Sequence, residues 1–293
     1  MRIVRTDTNF ITSEHDSVFP LFYGSTFLTQ KINEGFEVRV IDFFQGDNII
    51  GRFVYDDKSK ISLPAASFGG LYVNNEGMSF VKEMLLELGQ LELGKIVFAP
   101  DIYGFCSVID PINGYRVIED VTDFLPLDGT YYSKLERSER KRYNKCKRHG
   151  FYCEDLTIAD LPKIHSMILE TKNRKGYPGT MSFARLEEMF KLFPREFRSF
   201  GCFDGDNLIA VMINIKISED IFYNFYLGDK FEYRSYSPIV FLLGRVYDYA
   251  QLQGGRILDL GLSSDKGKLN EGLHSFKLKL GGKSSNKITF IKD

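Results

Sequence analysis

Near the C-terminal end of the chain Phe276 is followed by Lys277, an aromatic ring next to a flexible ammonium. An ammonium held against an aromatic face gains about 0.5–2 kcal/mol. Once fixed, such a charge can stabilise negative charge that develops on a reacting oxygen. The competing reading is a surface lysine on a C-terminal strand. His274 lies two residues before Phe276. On a strand it faces the same side and is a candidate proton acceptor. Asp259 ends the apolar run Ile257–Leu260 and either orients a partner or closes a turn with Gly261. No arrangement of Ser, Cys and His suggests a covalent intermediate.

A second concentration of charge lies at Lys134–Arg148. Lys134, Arg137, Arg140, Lys141, Arg142, Lys145, Lys147 and Arg148 oppose only Glu136 and Glu139, a local charge of +6. On a helix this run is either a solvated face or a phosphate-binding one, with Arg137, Arg140 and Lys141 as its core. The net charge of the whole chain is −1, so any polyanion binding must be local. The four cysteines (Cys106, Cys146, Cys153, Cys202) are scattered, which fits a reducing compartment. Cys146, His149 and Cys153 lack a fourth ligand and the usual spacing of a metal site, so no metal is expected. There is no apolar leader behind Met1 and no apolar run of 18 residues, so a cytoplasmic protein without an integral membrane segment is expected.

The elements that must position these residues come from a repeat. Phe44-Gln-Gly-Asp-Asn48 precedes Ile49-Ile50, and Phe203-Asp-Gly-Asp-Asn207 precedes Leu208-Ile209, 159 residues later. Gly and Asn between apolar runs are a hairpin signal. After the first turn, helical spacing predicts a helix over Met78–Leu88 and a strand at Lys95–Phe98. After the second, strands are predicted at Val211–Ile217 and Ile221–Leu227. A helix at Ile239–Leu252 follows, with Ser237 as N-cap and Pro238 in its first turn, then a strand at Arg256–Leu260. Helices at Ser133–Arg148, Ile158–Thr171 and Ser182–Leu192 precede the second hairpin. The pattern is a duplicated α/β unit with a mixed sheet. A boundary is expected where turn residues cluster near Pro126–Gly129, giving units at 1–127 and 128–293.

Helices, hairpin, strand, helix, strand is the order of a GNAT acyltransferase domain, and the C-terminal segment is more specific. Ile257-Leu-Asp-Leu-Gly261, then Gly272-Leu-His-Ser-Phe276-Lys277, then Gly281-Gly282 resembles the closing signature of the Fem-type (FemABX) family. Leu63-Pro64 with Phe68-Gly69-Gly70, the basic helix ending at Gly150-Phe151, and Tyr236-Ser237-Pro238 are similar to it as well. The resemblance implies two tandem GNAT-like, acyl-CoA N-acyltransferase folds, with the last strand packing back on the first domain. It implies transfer of an aminoacyl or acyl group to an amine. Characterised Fem-type enzymes move an amino acid from aminoacyl-tRNA to a peptidoglycan precursor.

In that reading Phe276 and Lys277 stabilise the reacting acyl centre. Tyr226 and Tyr236 lie at the substrate side, and Arg174 and Tyr177 grip a nucleotide-linked amine substrate. The chain lacks the coiled-coil arm of some members. It also lacks the R/Q-x-x-G-x-G/A pyrophosphate loop: Gly228–Tyr236 offers no clustered glycines to a phosphate. The donor therefore stays open between aminoacyl-tRNA and acyl-CoA such as acetyl-CoA, with no tightly bound cofactor. A non-catalytic binding protein on the same fold is the remaining alternative.

Overall fold

The structure is a computed structural model. It describes all residues except 7–17, 64–65, 107–111 and 178–180. Pro64 of the Leu-Pro motif and Pro178-Gly179 of the interhelical loop therefore lie outside the described residues.

In chain order the described elements run β1 (Arg2–Thr6), α1 (Ser25–Asn33), β2 (Val38–Gln45), β3 (Asn48–Asp56), β4 (Ile61–Ser62), β5 (Leu71–Val73), α2 (Val81–Gly89), β6 (Lys95–Pro100) and β7 (Tyr115–Pro126). There follow α3 (Tyr131–Lys134), α4 (Arg137–Arg148), β8 (Tyr152–Leu156), α5 (Leu161–Arg174), α6 (Phe183–Leu192), β9 (Phe197–Asp204), β10 (Asn207–Lys216), β11 (Ile221–Asp229) and α7 (Pro238–Leu252). The chain closes with β12 (Ile257–Leu262), β13 (Ser264–Asp265), β14 (Lys268–Leu269), α8 (Glu271–Lys279) and β15 (Lys283–Lys292).

Two compact units result. The first holds residues 1–122, 262–270 and 285–293, and the second holds 123–261 and 271–284. In the first, the strand order is β1-β2-β3-β4-β6-β15, with β5 also on β3. Only the β4–β6 contact is parallel among the registered pairs there. Its core joins Phe43, Ile50 and Phe53 of the hairpin to Met84, Leu85 and Leu88 of α2. In the second, the order is β7-β12-β11-β10-β9-β8. Its core packs Phe200, Met212, Phe222 and Leu258 from the strands under Val240, Leu243, Val246 and Tyr247 of α7.

The repeat is visible in the backbone. Both hairpins close on a two-residue turn, Gln45 opposite Asn48 and Asp204 opposite Asn207. Gly46 and Gly205 take φ of +61° and +54° there, a conformation that costs glycine nothing. Each hairpin also slips register two residues past its Asn. The residue stepped over is Ile50 in the first and Ile209 in the second, so the bulge recurs at the same offset of 159.

Three local expectations are corrected. The single helix over Ser133–Arg148 is two, because Leu135 turns extended (ψ 136°) and buries its side chain. The freed Glu136 N–H donates to Lys279 O at 2.9 Å. Ser237 does not cap α7: it sits at φ +58° with no side-chain cap bond, although Pro238 does open the helix. Residues 271–279, read as strand, form α8. Leu273, Phe276 and Leu280 recur at helical spacing, and Phe276 and Leu280 join the core of the second unit.

Candidate active site around Lys277

The second unit opens where β11 and β12 part. These parallel strands pair only at Ile221–Ile257, Phe222–Leu258 and Tyr223–Asp259. β11 continues to Asp229, and its register against β10 steps over Phe225 just beyond the last of these pairs. A bulge there increases local twist and re-aims side chains.

On the β12 side of this opening lies a cluster of polar groups. Asp259 Oδ1 accepts from Gly261 N–H at 2.7 Å, which tightens the strand end as it leaves the sheet. The Gly261 carbonyl in turn accepts from Lys277 Nζ at 2.6 Å. Lys277 Nζ lies 4.0 Å from Asp123 Oδ2, with side-chain exposures of 7% and 0%. Burial pushes the Lys277 ammonium down to about 8, while Asp123 and Asp259 pull the other way. Desolvation wins because a charge removed from water loses more than two partly offset carboxylates return. Asp123 also accepts from His274 Nδ1 at 3.0 Å and from Ser284 Oγ at 2.9 Å.

The Gly-Gly of the closing motif explains how Lys277 is held. Gly281 N–H donates to Leu278 O and Gly282 N–H to Lys277 O, ending α8. Gly281 takes φ +88°, and a Cβ there would lie 2.5 Å from Lys134 Cβ and 2.8 Å from Lys134 O. A Cβ on Gly282 would lie 2.6 Å from Lys277 O. Gly281 must be glycine for the helix end to close on the backbone of α3, and Gly282 for the chain to close on the last turn of α8 itself.

Neighbouring helical side chains do not share a direction. Phe276 accordingly packs on the core while Lys277 turns to Asp123. The other expected site residues form none of the bonds of this cluster. Arg174 donates to Asp229 Oδ1 at 2.8 Å and Asp229 O at 3.1 Å, and lies 5.4 Å from the Phe231 ring. Its Nε and Nη1 are buried without a hydrogen-bond partner among the described residues. Arg234 joins the same Asp229 carboxylate at 3.2 Å. Tyr226 Oη accepts from Met181 N–H, and Lys172 Nζ lies 4.4 Å from its ring. Tyr177 is exposed. Tyr236 packs on Phe151 and His149 under the Lys145 ammonium, 4.2 Å from its ring.

Arg137, Lys141 and Arg148 recur along one exposed stripe of α4, flanked by Arg140 and Lys147. Glu139 is buried on the opposite side and bonds Arg142. Arg140 donates to Ser133 O and lies 5.8 Å from the Tyr132 ring. The Cys146 thiol donates to Tyr236 O, and Cys153 faces Cys202 across β8 and β9. Among the described residues no group of three His, Cys, Asp or Glu side chains is placed to hold a metal ion.

Sequence reasoning missed Asp123 and Ser284. Asp123 is the one acidic residue in the buried run Thr122–Leu125 of β7. A buried carboxylate in an apolar strand is the signal that could have found it.

No family model and no curated relative matches the chain. Solved structures do. The crystal structure of FemX superposes with a TM-score of 0.69 at 14% identity, over 99% of this chain and 97% of that one. The chain has the tandem GNAT-like fold of FemX. L-PGS from Bacillus licheniformis matches with a TM-score of 0.55 at 14% identity, over 86% of this chain and 84% of that one. A tandem GNAT protein from the clavulanic acid biosynthesis pathway matches at 0.50 and 10% identity, over 99% and 97%. The expected fold class and the Fem-type resemblance are both borne out at the level of fold. No helix among the described residues is long and apolar enough to cross a membrane.

Proposed function

We propose that this protein is a Fem-type N-acyltransferase that moves an aminoacyl group from aminoacyl-tRNA to an amine on a nucleotide-linked precursor. One observation carries the reading: Lys277 is a buried ammonium anchored on Gly261 O beside the point where β11 and β12 separate. Amine attack on an activated carbonyl forms a tetrahedral oxyanion. A fixed cation in a desolvated site stabilises that charge more than water does, and no reorganisation is needed when it forms. The exposed stripe of α4 supplies the local positive charge that an RNA donor requires. Arg174, whose buried Nε and Nη1 have no hydrogen-bond partner among the described residues and whose Nη1 lies 3.9 Å from Glu170 Oε1, is suited to an anionic group of the acceptor.

A second reading takes an acyl-CoA donor. The β12-facing edge of β11 beyond Tyr223, where only the pairing with β10 continues, favours it, because an extended amide-bearing arm can hydrogen-bond to a strand edge.

The test is a transfer assay read by mass spectrometry. Donors are alanyl-tRNA, glycyl-tRNA and acetyl-CoA. Acceptors are a nucleotide-linked peptide precursor and an amino sugar. Transfer from a charged tRNA, lost in Lys277→Met, is the expected result. Transfer from acetyl-CoA alone would select the second reading. No transfer from any donor would remove both.

A further inference from the structure

We propose that His274 is the general base of this site and that Asp123 is the residue that positions it. The proposal rests on the acyl-transfer reading and adds the group that removes the proton.

The geometry begins with α8. His274 and Lys277 are three residues apart on a helix, so both side chains leave the same face. Both meet Asp123, which is fully buried on β7 and accepts a further bond from Ser284 Oγ. A carboxylate only accepts, so the 3.0 Å contact places a proton on His274 Nδ1. In the neutral ring this leaves the lone pair on Nε2. That atom has no partner among the described residues, and the side chain keeps 22% exposure. The ring is therefore held by one nitrogen and available through the other. Asp123 is placed to stabilise the imidazolium that forms when Nε2 takes a proton. The charged groups around the pair are Asp123 on β7 and Lys277 on α8, with Asp259 of β12 acting on Lys277.

The step balances as follows. The neutral amine attacks the acyl carbonyl, a C–N bond forms, and the carbonyl electron pair moves to the oxygen near Lys277. The attacking nitrogen loses its extra proton to His274 Nε2. The carbonyl re-forms, the bond to the donor oxygen or sulfur breaks, and its electron pair leaves with that atom. The imidazolium then returns the proton to the leaving group.

Two measurements on the full chain test this. Long-range 1H–15N NMR of the imidazoles reads the tautomer directly. The Nδ1–H form of His274 is expected in the native protein, and its loss is expected in Asp123→Asn. A native Nε2–H tautomer would overturn the proposal. Kinetics then use whichever of alanyl-tRNA, glycyl-tRNA or acetyl-CoA the native protein turns over. His274→Asn keeps a donor facing Asp123 but has no Nε2. It should lower kcat by about 100- to 10,000-fold, with KM little changed. Asp123→Asn should lower kcat with the ring still in place. An unaltered kcat in His274→Asn would sink the base while leaving the transfer reading intact. A native protein inert toward every donor would sink the transfer reading and the base with it.

Discussion

Replacing Lys277 by Met tests whether the ammonium is as desolvated as its surroundings imply. The folded value is about 8 and the ordinary one is 10.5. At one pH unit per 1.36 kcal/mol, the gap is worth about 3 kcal/mol. The sign follows from which state holds the proton. Between about pH 8 and 10.5 the unfolded chain keeps its lysine protonated while the folded protein has lost that proton. Stability contributed by this site therefore rises with pH across the window. Below pH 8 both forms are charged and the contribution is flat. Urea unfolding of the native protein and of Lys277→Met, at half-unit steps from pH 7 to 10.5, isolates the effect, because other titrations cancel in the difference. The native protein should gain about 3 kcal/mol on the variant over that range. A difference that stays level would show an ammonium in contact with bulk water. The argument for a fixed catalytic charge would then fail, whatever the fold.

Other outcomes follow from the same contacts. Gly281→Ala forces a Cβ into Lys134 at φ +88° and should cost about 2–4 kcal/mol in urea unfolding. Gly46→Ala, with open space at φ +61°, should cost about 1 kcal/mol; equal losses would refute the close-approach account of the Gly-Gly motif. The triple change Arg137→Gln, Arg140→Gln, Lys141→Gln should weaken binding of uncharged tRNA. It should also flatten the slope of log affinity against log salt by about 2–3, and an unchanged slope would reduce α4 to a solvated face. Asn214 is buried with neither amide atom hydrogen-bonded among the described residues, so Asn214→Leu should raise the melting temperature by recovering about 1–3 kcal/mol. A fall would show that ordered water satisfies that amide.

Much of the architecture is a local matter and was legible in the residues. The Gly-Asp-Asn turns act over four residues, and positive φ at Gly46 and Gly205 follows from chain sterics alone. Apolar spacing over α2, α5 and α7 likewise carries its own period, so these helices, like β6, β11 and β12, lie close to where the pattern puts them. α8 was not legible, because in nine residues the apolar pair 276 and 278 fits a short strand as readily as 273 and 276 fit a helix. The break at Leu135 was not legible either. It depends on a core pocket for that side chain and on the Lys279 carbonyl, 143 residues along the chain from the Glu136 N–H it accepts.

Sequence alone determined that the chain is a duplicated α/β fold and singled out Lys277, four residues before a Gly-Gly motif, as a candidate. Only tertiary structure decided what that lysine meets. Asp123 and His274 are 151 residues apart, and the carboxylate gains its partners only when β7 and α8 converge in one unit. Desolvation, which sets the Lys277 proton affinity, is a property of the volume around a group rather than of its neighbours in the chain.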